Sequence, residues 1–207
     1  MLNRFRTYSR RAIISIVLLS PAEYRLALSQ TSPGNANDCN PNVVQDYFPG
    51  ATLSEHTKQT LEQELRTFCE LPLPSLHERS GVISYRLIRR ALVSKLPLLV
   101  IRVSIGSDAV GRVTVRGTYN DGKQLTPDEI QMSKEETESF LAVVDRSKFW
   151  ESKSEDRSEE FPNKVDGGSW FIEGQKNSQY QILHRHNPQR GSVKEVGTYL
   201  IQHFVRG

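Results

Sequence analysis

Residues 81–118, GVISYRLIRRALVSKLPLLVIRVSIGSDAVGRVTVRGT, decide the fold class. Ile83, Tyr85 and Leu87 alternate with Ser84 and Arg86, which is the two-residue period of a strand. Leu98–Ile105 is apolar enough for a central strand, and Pro97 stands just ahead of it, where proline is tolerated. Val113 and Val115 then alternate with Arg112, Thr114 and Arg116. Gly106-Ser107-Asp108 and Asn120-Asp121-Gly122 supply the turns, so these strands are expected to neighbour one another in an antiparallel meander. One face of that sheet should be dry and the other wet, the wet face carrying Arg112, Thr114 and Arg116.

Helical patterns flank the meander. Upstream, Leu61, Leu65, Phe68 and Cys69 recur at i, i+4, i+7 and i+8, a helix over about 55–70 that Pro72 and Pro74 should end and whose face should carry Cys69 inward. Downstream, Ser133 followed three residues later by Glu136 is a capping box, and Phe140, Leu141 and Val144 form the buried stripe behind it, closed by Phe149 and Trp150. Residues 151–165 are charged and aperiodic, and read as a loop. Residues 169–174 and Gln179–His186 read as hairpin arms around Lys176-Asn177. In the last helix Val193, Val196, Gly197, Leu200, Ile201 and Phe204 share a face, where Gly197 permits a close approach to the sheet. Helix, three or four strands, helix, two strands, helix implies one α+β domain over 55–207. Its antiparallel sheet should have about five or six strands, with helices packed on one face.

The N-terminus reads differently. Arg4, Arg6, Arg10 and Arg11 precede an apolar run from Ala12 to Leu19, the layout of a signal peptide over residues 1–29. The run is far shorter than the roughly 20 residues that span a bilayer, so a cleaved segment is expected, with Ala27-Leu28-Ser29 as its processing site and Ser20-Pro21-Ala22 as a second candidate. Ser9-Arg10-Arg11 also resembles the start of a twin-arginine signal. The chain of 207 residues holds 27 basic and 24 acidic side chains, but residues 1–29 contribute five and one of them. The remainder carries 22 against 23, which argues against nucleic acid as a partner. A periplasmic or secreted location with no transmembrane segment after processing is the expectation.

Export also explains the cysteines. Two in the chain, Cys39 and Cys69, read as one disulfide tying the lead-in over 30–54 to the first helix. Closing that loop is worth about 3–4 kcal/mol in the chain-entropy model. A redox pair would place its cysteines a few residues apart at a helix start, unlike these.

Chemistry-bearing patterns are few. His184 and His186, two apart on a strand, project from one face and can share a zinc ion if Glu173 or His203 adds a third ligand. The competing reading makes His184 a residue packed under the sheet and His186 a strand-end surface group. Asp166, Glu173 and the cluster Glu155, Asp156, Glu159 and Glu160 offer carboxylates, but spacing alone gives neither separation nor cleft. Glu173 is expected to face Arg185 across the hairpin. Ser169 lacks the glycine-flanked nucleophile elbow, and no phosphate-binding glycine loop is present. Trp150 and Trp170 read as core, with Trp170 also a candidate contact for a partner.

The pattern Asp166-Gly167-Gly168-Ser169-Trp170, Glu173-Gly174, Tyr180, Arg185 and Pro188, behind a helix ending in Phe149-Trp150, resembles a family of small exported bacterial proteins of uncharacterised function. The resemblance covers about residues 133–205, implies this topology and carries no activity; His184 and His186 depart from the family's pattern. The order of elements is also similar to that of small proteinaceous inhibitors of metallopeptidases, by analogy only.

Without a catalytic signature, the favoured expectation is an exported, non-enzymatic binding or interaction protein, inhibition being one mode. It needs no cofactor, and Arg112, Arg116, Trp170 and Arg185 would meet a protein or glycan partner. The alternative is a metal-binding protein or metal-assisted hydrolase built on His184 and His186, with zinc as cofactor.

Overall fold

Antiparallel pairing runs through the whole sheet. The structure, a computed structural model, describes residues 46–91, 96–125, 128–154 and 168–205. The expected leader, Cys39 and residues 155–165 of the charged stretch lie outside the described residues. Helix α1 (Glu55–Thr67) and helix α2 (Leu73–Ser80) precede strands β1 (Ile83–Ala91), β2 (Leu98–Ile105), β3 (Gly111–Thr118) and β4 (Asp128–Gln131). Helix α3 (Lys134–Arg146), strands β5 (Gly168–Lys176) and β6 (Gln179–His186), and helix α4 (Gly191–Phe204) follow. The strand order is β4-β3-β2-β1-β5-β6, so the meander grows on one side of β1 and the hairpin on the other. The α+β class and the antiparallel sheet are those expected, with six strands.

The second face of this sheet is covered over β1, β5 and β6 and stays half-open toward β2 and β3, which differs in part from the expected dry and wet pair. Tyr85, Leu87, Ile101, Val103, Val113, Val115, Ile172 and Leu183 pack against Phe140, Val143 and Val144 of α3 and Val193, Val196 and Leu200 of α4. On the other face Ile88, Val100, Phe171 and Ile182 pack under Leu61 and Leu65 of α1, with Phe68, Tyr47 and Phe48. Each large apolar side chain buried this way contributes about 1.5–3 kcal/mol, so two layers outweigh the strand-end polar pattern. The cue was present: Ile88 and Val100 sit on the face that Arg86, Arg112 and Arg116 made look wet. Among the described residues, no helix is long and apolar enough to cross a membrane.

Helix ends account for two further differences. Pro72 and Pro74 do not merely stop α1; they open α2, with Pro72 as its N-cap, because the first turn of a helix needs no N–H from its leading residues. Cys69 does not face inward. After the C-cap Phe68 the chain turns left-handed at Cys69 (φ 56°), whose N–H donates to Arg66 O (3.0 Å) while that of Glu70 donates to Leu65 O (3.0 Å). This is a Schellman closure with a cysteine where glycine is usual. It leaves Cys69 exposed and drives Glu70 into the interior. No cysteine among the described residues is a free thiol.

Two expectations hold in detail. Ser133 and Glu136 form the reciprocal capping box that starts α3. Gly197 brings α4 onto the sheet: a Cβ there would lie 2.6 Å from Trp170 Cε3. In an open helix, Gly→Ala would stabilise by about 1 kcal/mol. Here Gly197→Ala is expected to destabilise by about 1–3 kcal/mol through overpacking, read by urea unfolding; a gain in stability would show that the approach is not tight.

Candidate functional site

One rung of the sheet is polar from β4 across to β5. On the α1 side, Glu129 of β4 faces Thr114 of β3, Thr114 faces Arg102 of β2, and Arg102 faces Arg86 of β1. Arg86 in turn faces Glu173 of β5, and Glu173 faces Ile182 of β6. Like charges directly opposite one another destabilise a sheet, so the Arg86–Arg102 pair needs a counterion between them. Glu70, delivered by the turn at Cys69, is that counterion.

The Glu70 carboxylate accepts from Arg102 Nε at 2.8 Å and from Arg116 Nε at 3.1 Å, and lies 3.7 Å from Arg86 Nη1. Its main-chain carbonyl accepts from Tyr47 Oη at 2.9 Å, while the Arg66 guanidinium lies over the Tyr47 ring. On the far side, Arg86 Nε donates to Glu173 Oε2 at 2.5 Å and Arg86 Nη1 donates to Leu71 O at 2.8 Å. Tyr180 Oη donates to Glu173 Oε1 at 2.8 Å. Glu70, Arg86 and Glu173 are all buried.

Titration follows from this geometry. Burial would raise the Glu70 carboxyl, but Arg102, Arg86 and Arg116 outweigh it and hold the group below its ordinary value. Burial would lower Arg86, yet Glu173 and Glu70 hold it above its ordinary value, so it stays charged. Burial, and then the Glu173 carboxylate, push the Tyr180 phenol well up, fixing it as a neutral donor.

The network ends at a half-open surface. Arg102 and Arg116 are 20% and 24% exposed, and Arg112 is 39% exposed with, among the described residues, only a long 3.4 Å contact to Asp108. Arg112 and Arg116 flank Thr114 on β3, and Arg102 stands across from it on β2. Each guanidinium has five N–H donors. Glu70 occupies only the Nε groups of Arg102 and Arg116; Arg102 Nη1 donates to Ser104 Oγ at 2.7 Å, while the terminal nitrogens of Arg116 have no partner among the described residues.

The other residues singled out in the sequence lie elsewhere. Trp170 is on the opposite face beneath α4, with Lys194 Nζ 5.4 Å over its ring. Arg185 is buried, and its guanidinium donates to Ser154 O, Lys153 O and His184 O. The expected Glu173–Arg185 pair does not form: register sets Glu173 opposite Ile182 and Arg185 opposite Trp170, so the two charges project from opposite faces. His184 and His186 do share the face of Glu173, but His184 stacks on Phe171 (4.3 Å between centroids, 7° apart) and His186 is exposed at the strand end. Both carboxylate oxygens of Glu173 are engaged by Arg86 and Tyr180. His203 stacks on Tyr199 of α4. Among the described residues, no group of three or more His, Cys, Asp or Glu converges as a metal site requires.

Glu70, Arg86 and Arg102 were missed in the sequence. A signal existed: Arg86 is flanked by Tyr85 and Leu87-Ile88, and Arg102 stands between Ile101 and Val103, each beside positions that must be core. No family model matches the chain, and no curated protein matches it.

Glu70 sets an acid limit on stability. Its folded carboxyl titrates below the unfolded one, so its contribution is fully present above the unfolded value and disappears as pH falls through the folded value. Urea unfolding followed from pH 7 downward should show a loss of stability below about pH 4.5. Glu70→Gln should flatten that limb and cost about 3 kcal/mol at pH 7, because it leaves buried guanidinium charge uncompensated.

Proposed function

We propose that the chain is an exported, non-enzymatic binding module that holds an acidic partner protein on the half-open face of β2 and β3. One observation carries this reading: Arg102, Arg112 and Arg116 surround Thr114, and two of the three are oriented from beneath by a buried carboxylate. A guanidinium held by its Nε presents its remaining edge as a preset fork for a carboxylate, losing little side-chain freedom on binding. The alternative, metal-assisted hydrolysis at His184 and His186, is less well supported because Glu173, one expected third ligand, is committed to Arg86 and Tyr180, and His203, the other, stacks on Tyr199 of α4.

Export and a Cys39–Cys69 disulfide belong to the same proposal. They rest on the arginine-rich leader and the even cysteine count. Intact mass of the protein recovered from a cell envelope should correspond to a chain without residues 1–29 and without titratable thiols.

Arg112→Glu tests the surface without touching the Glu70 network. Immobilised protein should retain a partner from envelope extract that elutes with salt, and the variant should lose about tenfold in retention at unchanged melting temperature. Equal retention by both proteins would place the contact elsewhere.

A further inference from the structure

The free edge of the sheet at β6 is partly closed and partly open. Asn187 N–H donates to Gly168 O at 2.9 Å, which fixes the hydrogen-bonding phase of the hairpin. Ladder bonds of an antiparallel pair fall on alternate residues. Gln181, Leu183 and Arg185 therefore turn their main chain toward β5, and Tyr180, Ile182 and His184 turn theirs away from the sheet. The carbonyl of His184 is taken by Arg185 Nη1 at 2.8 Å. The outward N–H and C=O groups of Tyr180 and Ile182 have no partner among the described residues.

Those two residues lie at the floor of a groove of about 400 Å³. Pro49, Gly50, Ala51 and Thr52 line one side, and Ser152, Lys153 and Ser154 the other. The second side is built onto β6 itself: Gln181 Nε2 donates to Phe149 O (2.7 Å) and Ser152 O (2.9 Å), and Arg185 binds the carbonyls of Lys153 and Ser154. Thr52 Oγ1 donates to Ser154 Oγ at 2.9 Å and ties the two sides together. Lys153 is exposed at the rim and forms no ion pair among the described residues.

An unprotected edge invites pairing, and folded proteins ordinarily blunt it. Here Arg185 blunts the edge at His184, while two residues away the same edge stays open at the bottom of a walled slot. We propose that this slot binds an extended, acidic peptide segment of a partner protein by strand addition to β6. The two N–H and two C=O groups of Tyr180 and Ile182 supply the main-chain bonds, and Lys153 pairs with an acidic side chain of the segment. A span from Tyr180 to Ile182 is about 7 Å, so roughly three peptide residues lie in register. This site is separate from the arginine face, and each can fail without the other.

Amide exchange tests it residue by residue. In the free protein the amides of Tyr180 and Ile182 should exchange about a hundredfold faster than those of Gln181 and Leu183. A pool of blocked hexapeptides, randomised except for one fixed glutamate, should slow those two amides at millimolar concentration. Lys153→Glu should weaken the glutamate pool about fivefold and favour a pool with a fixed lysine, leaving Gln181 and Leu183 exchange unchanged. Slow exchange of Tyr180 and Ile182 in the free protein would mean that the chain fills its own edge, and would overturn the proposal. So would a pool that leaves both amides unprotected, or indifference to the charge swap.

Discussion

Glu70 is the constraint on which the rest of the structure depends. Two arginines face one another on the central strands β1 and β2, and neither the sheet nor the layer above it tolerates that arrangement without a carboxylate between them. The carboxylate comes from the end of α1, so the requirement for charge balance also fixes where α1 lies. Glu173 completes the balance from β5 and, through Tyr180, reaches the hairpin's outer strand. Helix, meander and hairpin are thus joined by ions as well as by the apolar contacts around Ile88, Val100 and Phe171.

Such a network is not an efficient source of stability. Burying each ion costs several kcal/mol, and the mutual attraction does little more than offset it. What the network provides is geometry. The Schellman closure at Cys69 is the local expression of this: a non-glycine residue accepts the left-handed region, at a cost of about 1–2 kcal/mol, so that the next residue points inward. Apolar residues at these sites would hold α1 in place too, but they would not orient Arg102 and Arg116 at the surface.

Much of the architecture was legible in the sequence, and the parts that were not share a cause. Period-two patterns in β1 and β3, the apolar run of β2, the capping box at Ser133, the hairpin turn at Asn177 and the stripe of α4 are local signals, and local physics produced the elements they announced. The inward turn of Glu70 follows from a loop closure at the end of a helix, which periodicity carried on from Leu65 and Phe68 assigns to Cys69 instead. Helix α2 was hidden because Pro72 reads as a terminator, although the same residue is acceptable at a helix start. Arg86 looked solvent-facing because polar residues in strands usually are; only its partners, 16 residues before it and 87 after it in the chain, reveal otherwise. Arg112 and Arg116 were placed on the right face by alternation alone, whereas Arg185 and Trp170 needed the hairpin register, which puts them on the other side.

The arginine surface and the β6 slot lie toward opposite edges of one sheet, and the network beneath α1 runs between them. Its reality is best measured by a double-mutant cycle of Glu70→Gln and Arg102→Met, each protein unfolded in urea at neutral pH. If Glu70 is the shared counterion, the two substitutions should couple by about 1–3 kcal/mol. Additivity to within about 0.5 kcal/mol would contradict the account, because Arg102 would then owe nothing to the carboxylate placed beneath it.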